Sequence, residues 1–467
     1  MKRKLSLVIA SLMAVTACAF TACKDKLGEI VVPEYESDKI VDFVAYAAPT
    51  KANWNGSASN AECITDEQYK LLADAGFTRA QALYDGLRVG GGTIEQLSET
   101  AQTDALRALA CAEKVGIKYY VRDWTFYGFV NSVKEEDYES VINKMFDENN
   151  EYVKSSAYAG NFLHDEPNVQ QMEKMSKVYD LYKSKVPSGE AFINLLPDYA
   201  SAEALDTTLQ SSYEDYIDRY LELFAKKTGY ISYDYYPLNK SQFSGSRIKE
   251  TYLQNYELVA TKAKEWDVEP RIYIQNVSDY TGIRDIIGIQ DLRFQIYTGM
   301  AFGFSSFTYY TYFSTSSNGS IIAKDGTPTY RYYAALNVNN EVHAWEKVYR
   351  NFTWQGVMTK LGDEMLENVG FNLLKNPITT HERINSVSVT EDTVIGVLKD
   401  GEGRDGFMFV NYSDPYFDKT DTVTVKFNNA RAALMYRRGQ KMVVPLNKGE
   451  YTFKLTPGEG RFIIPLV

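Results

Sequence analysis

Residues 65–84 read TDEQYKLLADAGFTRAQALY, and how this stretch is read decides the fold. Thr65 is placed as an N-cap, its hydroxyl able to accept a backbone N–H from the first turn of a helix. Apolar residues then recur at helical spacing until Gly76, a helix stop. Beyond the glycine, the run from Thr78 to Tyr84 has the length and texture of a buried strand. Helix, glycine and strand together make one repeat of an alternating α/β chain.

The same punctuation recurs outward from this point. DALRALACAEKVG (104–116) ends at Gly116, and IKYYVRDW follows from 117. Further strand-like runs are IVDFVAYA (from 40), YAGNFLH (158), EAFINLL (190), GYISYDYY (229), PRIYIQN (270) and GFSSFTYY (303), making eight with starts 32 to 41 residues apart. Eight βα units of nearly constant length predict an α/β fold, a (β/α)8 TIM barrel over residues 40–360. A doubly wound open sheet would carry a glycine-rich phosphate loop after its first strand, and AYAAPTKANW (45–54) is not one. Residues 295–323 carry no charge, but their Ser, Thr, Gly and Tyr content fits an inward-facing eighth strand and its loop better than a membrane span. After a helix-like segment at about 328–350 the texture changes. Alternating runs such as DTVTVKF and RFIIPLV, separated by turn signals, predict a small C-terminal antiparallel β-sandwich over 365–467.

The N-terminus reads as a targeting segment. Lys2, Arg3 and Lys4 precede an uncharged stretch from Leu5 to Ala22, and AFTACKDK resembles a bacterial lipobox. The expectation is a signal peptide at 1–22, a lipid-modified Cys23, and a polar tether over 23–39. That describes an exported bacterial lipoprotein, anchored to a membrane at the cell surface or periplasmic face. Loss of residues 1–22 removes three cations and no acid, moving the formal charge from −11 to −14. Such acidity argues against nucleic acid or an anionic lipid surface as partner. With three histidines and no Cys/His cluster, no metal site and no cofactor is expected. Cys63 and Cys111 would remain, and the sequence leaves open whether they pair.

Barrel active sites lie at the C-terminal ends of the strands. That rule reduces 61 acidic residues to a short set. Tyr46 ends run 1, Asp85 follows run 2, and Asp123 and Trp124 end run 3. His164, Asp165 and Glu166 end run 4, and Asp198 follows run 5. Asp234, Tyr235 and Tyr236 end run 6, Gln275 and Asn276 run 7, and Tyr310 run 8. Carboxylates for proton transfer, amides for hydroxyls and aromatic faces for sugar rings are what cleavage of a glycosidic bond requires. The adjacent Asp165 and Glu166 are read the same way: a barrel mouth can hold one of two like-charged neighbours protonated.

HDEP at the end of run 4 resembles the acid/base strand of clan-A-type (β/α)8 glycoside hydrolases. Together with INLLPDY, SYDYYP and YIQN, it is similar to a group of exported bacterial glycoside-hydrolase-like proteins with a strand-4 Asp-Glu-Pro and a strand-6 Asp-x-Tyr-Pro. The resemblance covers about 40–350. It implies a hydrolase acting on an extracellular carbohydrate, with Glu166 as general acid/base and Asp165 in place of the Asn that contacts a substrate hydroxyl. On strand 7 the chain departs from the clan, with Gln275 where the nucleophilic Glu stands. Asp234 is expected to supply the second carboxylate. An alternative pairing makes Asp165 the nucleophile and Asp234 the acid, and a further alternative is a non-catalytic carbohydrate-binding lipoprotein on the same frame. Structural roles compete at several positions: a salt bridge to Arg122 for Asp123, a helix cap for Asp198, a turn for Asp85, and packing for His164. Tyr235 and Tyr236 are read as subsite walls.

Overall fold

A computed structural model describes residues 30–52, 61–83, 99–206, 212–239, 245–277, 286, 288–313 and 319–467. Eight parallel strands build the barrel: β1 (Asp42–Tyr46), β2 (Arg79–Gln81), β3 (Lys118–Val121), β4 (Tyr158–Asp165), β5 (Glu190–Asn194), β6 (Tyr230–Asp234), β7 (Glu269–Gln275) and β8 (Ser306–Tyr310). Their order is β5-β4-β3-β2-β1-β8-β7-β6. A parallel bridge between Leu195 and Tyr233 joins the two ends, so the sheet nearly closes. Each of the eight predicted runs overlaps one of these strands.

The opening stretch folds as its sequence dictates. Thr65 accepts a hydrogen bond from Gln68 N at the start of helix Asp66–Asp74, and Gly76 leaves the helix at φ +75°, where a side chain would be strained. Gly116 ends helix Glu99–Lys114 with the same φ.

The C-terminal region packs two antiparallel sheets, β10-β13-β16 and β15-β14-β17-β12-β11-β9. Its strands are β9 (Phe352–Lys360), β10 (Ile384–Ser388), β11 (Thr393–Asp400), β12 (Asp405–Asn411), β13 (Asp421–Phe427), β14 (Ala432–Arg437), β15 (Gln440–Pro445), β16 (Glu450–Leu455) and β17 (Gly460–Leu466). The sandwich therefore begins earlier than the predicted residue 365. β9 pairs along its length with β11, so residues 352–360 leave the barrel.

One face of the larger sandwich sheet joins the barrel's hydrophobic core, and a second cluster fills the space between the two sandwich sheets. Trp345 stacks between Tyr436 (5.6 Å) and Phe462 (5.5 Å). Gly396 lies against the backbone of Ala301 so closely that a Cβ would meet its carbonyl oxygen at 2.2 Å. Buried Arg247 binds Asp414 and Asp291, each at 2.7 Å. Residues 30–39, the described part of the expected tether, lie along this assembly: Tyr35 donates to Asp400 at 3.0 Å and Lys347 pairs with Glu36 at 2.7 Å. Cys63 and Cys111 are buried free thiols. Among the described residues no helix is long and apolar enough to cross a membrane, and residues 295–301 and 306–310 belong to a barrel helix and β8. The signal segment, Cys23 and Asp85 lie outside the described residues.

Candidate active site

At the C-terminal ends of the strands a cavity of about 420 Å³ opens, lined by Asp165, Glu166, Asn194, Asp234 and the rings of Tyr46, Tyr199, Tyr236, Tyr273 and Tyr310. Three predicted carboxylates thus meet in one hollow. How they arrive there follows from strand register. Alternation along a strand sends every second side chain inward, yet Phe162 and Asp165 both align with inward residues of β5, Phe192 and Asn194. The register slips between Phe162 and His164. This bulge turns His164 outward and brings Asp165 into the mouth. Glu166 then adopts φ +53°, a left-handed conformation uncommon outside glycine, and its N–H donates to Asn194 O at 2.8 Å. Pro167 and an Asn168/Gln171 capping box start helix Val169–Lys185 behind it.

Asn194 touches all three acidic residues. Besides the carbonyl contact to Glu166, its Nδ2 lies 3.4 Å from Asp165 Oδ1 and 3.4 Å from Asp234 Oδ1. Those two oxygens are therefore at most 6.8 Å apart. Ser232 Oγ donates to Asn194 Oδ1 at 2.9 Å, which turns the NH2 group toward the carboxylates. Tyr46 donates to Asp165 Oδ2 at 3.3 Å, and burial together with Asp165 keeps its phenol protonated. Asp165 itself is 26% exposed. Burial raises its pKa, opposed by Arg122, Asn194 and Tyr46.

Arg122 is the nearest described cation, with Nη2 4.0 Å from Asp165 Oδ2. It is buried over the rings of Phe162 (4.0 Å), Trp124 (4.8 Å) and Tyr127 (5.2 Å) and donates to Tyr127 OH at 2.9 Å. Trp124 is half-buried beside it and does not line the cavity.

Several predicted residues stand elsewhere. Asp123 forms no ion pair with Arg122; its Oδ1 accepts from Thr125 N at 2.9 Å at the start of a short helix, and burial pushes its carboxyl up to about 6. His164 stays out of the cavity and takes the packing role. Its Nδ1–H donates to Asp165 O at 2.8 Å, its ring stacks on Tyr127 at 4.4 Å, and burial lowers its pKa to about 4, so it is neutral.

Asp198 turns away behind Pro197 into a separate hollow between helices Tyr213–Thr228 and Tyr252–Trp266. It caps nothing, because Ser201 caps helix Ala202–Leu205. Burial raises its carboxyl to about 6, against the Thr251 hydrogen bond and the Lys249 charge. Tyr235 is core, its hydroxyl 2.7 Å from Thr251 Oγ1 and its ring against Tyr252. Tyr236, one residue on, faces the cavity beside Tyr310 at 5.4 Å.

Gln275 is absent from the cavity wall. Its amide is clamped on the backbone of Leu238, accepting from N and donating to O at 3.0 Å each. A glutamate could not make the second bond, which explains the amide at this strand-7 position. Asn276 donates to Thr311 O at 3.1 Å from a fully buried position and also stays out of the cavity. Among the described residues no group of three His, Cys, Asp or Glu side chains could hold a metal ion.

No family model and no curated protein matches this chain. Solved structures do. A glycoside hydrolase superposes with TM-score 0.54 at 11% identity, over 94% of this chain and 97% of that one. A glycoside hydrolase family 5 protein from Bacteroides vulgatus gives TM-score 0.50 at 11% identity, over 93% and 89%. A β-galactosidase from the psychrophilic Marinomonas ef1 matches at TM-score 0.46 and 9% identity, this chain spanning 60% of its length. The first two establish the architecture, a (β/α)8 barrel with a C-terminal sandwich.

Proposed function

We propose that the protein is a glycoside hydrolase acting on an extracellular oligo- or polysaccharide. The observation that carries this reading is the set Asp165, Glu166 and Asp234 around one asparagine, in a hollow walled by tyrosines. Glu166 protonates the leaving oxygen, Asp234 is the second carboxylate, and Asp165, facing Arg122, holds a sugar hydroxyl. In the alternative pairing, Asp165 attacks and Asp234 is the acid. Their 6.8 Å upper limit then leaves little room for the intervening water that inverting pairs of about 6.5–9.5 Å accommodate.

The test is a hydrolysis screen on aryl glycosides and oligosaccharides, with Glu166→Gln alongside and thermal shifts on the same sugars. Turnover that disappears in the variant supports the assignment, and an active Glu166→Gln protein removes it. One observation favours a second reading. Among the described residues the mouth end of strand 7 presents no carboxylate, since Gln275 is committed to Leu238, so stabilisation of both proteins by a sugar without turnover identifies a carbohydrate-binding protein on an enzyme's frame. We also hold Cys23 to be the lipid attachment point that anchors the chain to a bacterial membrane. Incorporation of labelled palmitate, lost in Cys23→Ser, is the expected result.

A further inference from the structure

Asn194 is not one of the groups expected to react, yet each of the three acidic residues touches it. Its two N–H bonds are fully used, one toward Asp165 and one toward Asp234. Its carbonyl oxygen on the side chain is occupied by the Ser232 hydroxyl. Ser232 is completely buried, two residues before Asp234 on the same face of β6. Were the amide to rotate by half a turn, its oxygen would face two carboxylates and its NH2 the serine. The hydroxyl therefore selects the orientation in which the dipole's positive end points at both acids.

We propose that Ser232 and Asn194 form a positioning pair that fixes the separation of Asp165 and Asp234 and sets the pH at which they share a proton. The inference rests on the reading of the mouth as the reaction site, but its direct readout does not need turnover. Asp165 and Asp234 are bonded to one amide, so removing that donor bears on both carboxylates at once. Removing the shared donor weakens the charged forms and raises the pair's apparent pKa values; placing a third carboxylate there raises them further. Among the described residues, the titratable and charged groups facing the pair include Tyr46 from β1, Arg122 from β3, Tyr127 behind it, Glu166 from β4, Tyr199 and Tyr236 beyond β5 and β6, Tyr273 from β7 and Tyr310 from β8, with Tyr213 and Tyr216 near Asp234. All remain in place in every variant below.

The experiment is a carbon-13 NMR titration of the aspartate side-chain carboxyls in the full protein, with Asp165 and Asp234 assigned by their Asn variants. Asn194→Asp is expected to raise the apparent pKa of the pair by about one unit or more. Asn194→Ala should raise it less, Ser232→Ala less again, and Ser232→Thr, which keeps the hydroxyl, should titrate as the parent. On any sugar the parent cleaves, the acid limb of kcat/KM should move upward in the same order. Parent-like titrations in folded Asn194→Ala and Ser232→Ala overturn the proposal. A Ser232→Thr shift as large as that of Ser232→Ala does the same, by showing a packing effect. If the parent cleaves nothing, the NMR order still decides the positioning role, and only the hydrolase reading falls.

Discussion

The two ends of the barrel are both built from charges, in opposite arrangements. At the floor, beneath the N-terminal ends of the strands, three acids meet three arginines. Arg79 binds Asp42 at 3.0 Å, Arg271 binds Glu190 at 2.5 Å, and Arg350 and Arg271 bind Glu269 at 2.9 and 3.2 Å. At the mouth, Asp165, Glu166 and Asp234 converge, and among the described residues Arg122 stands 4.0 Å from Asp165. The floor also borders a larger hollow, about 760 Å³ against 420 Å³, so cavity size does not tell the ends apart. The kind of partner does: the floor's acids close on arginines, whereas Asp165 and Asp234 share a neutral donor in Asn194.

That contrast can be broken or sharpened by substitution. The largest effect is expected at the mouth: Asp234→Asn should lower kcat/KM on a cleaved sugar by roughly 10³ with an unchanged thermal midpoint. Asp198→Asn, in its separate hollow, should change turnover little. Equal small losses from both would show that the second carboxylate is misassigned.

At the floor, Glu269→Gln should leave kcat unaltered and cost about 3 kcal/mol in denaturant melts, because two arginines lose their shared partner. Burial would raise the Glu269 pKa, but Arg271 and Arg350 outweigh it and hold it at about 2, below the ordinary 4.5. Its stabilisation is accordingly present above pH 4.5 and lost as pH falls toward 2. The variant's melts should be less acid-sensitive in that window.

Gln275→Glu should cost about 2 kcal/mol and create no activity, since it breaks the Leu238 clamp rather than supplying a nucleophile. A gain in turnover would refute the account of strand 7. The smallest effect has the opposite sign. Asp123→Asn keeps an acceptor for Thr125 N and removes a carboxyl raised from 3.8 to about 6. The native Asp is favoured below pH 3.8 and progressively penalised as pH rises through 6. The variant should therefore gain about 1 kcal/mol or more above pH 7 and nothing near pH 3.

The barrel was legible because helix caps, glycine stops and apolar runs are local signals that repeat. β9 was not, because FTWQGVMTK follows a helix directly and its partner β11 lies over thirty residues on. At the site, residue type was legible and direction was not. Alternation alone separates inward Ser232, Asp234 and Tyr236 from outward Tyr233 and Tyr235, and applying it would have removed Tyr235. The bulge in β4 has no sequence signature, so neither the outward turn of His164 nor the inward turn of Asp165 could be read. Asn194 was passed over as one polar residue in the apolar run EAFINLL, although an amide ending a barrel strand is itself a signal. Gln275 was captured by a chain segment, Leu238, that only the tertiary fold brings near.

The most direct test of the division between the two ends measures kcat/KM and thermal midpoint together for Glu166→Gln and Glu269→Gln, on the best sugar from the screen. The account predicts a crossed result: Glu166→Gln keeps its midpoint and loses turnover, while Glu269→Gln loses midpoint and keeps turnover wherever it is folded. Turnover retained in Glu166→Gln, or abolished in folded Glu269→Gln, would contradict it.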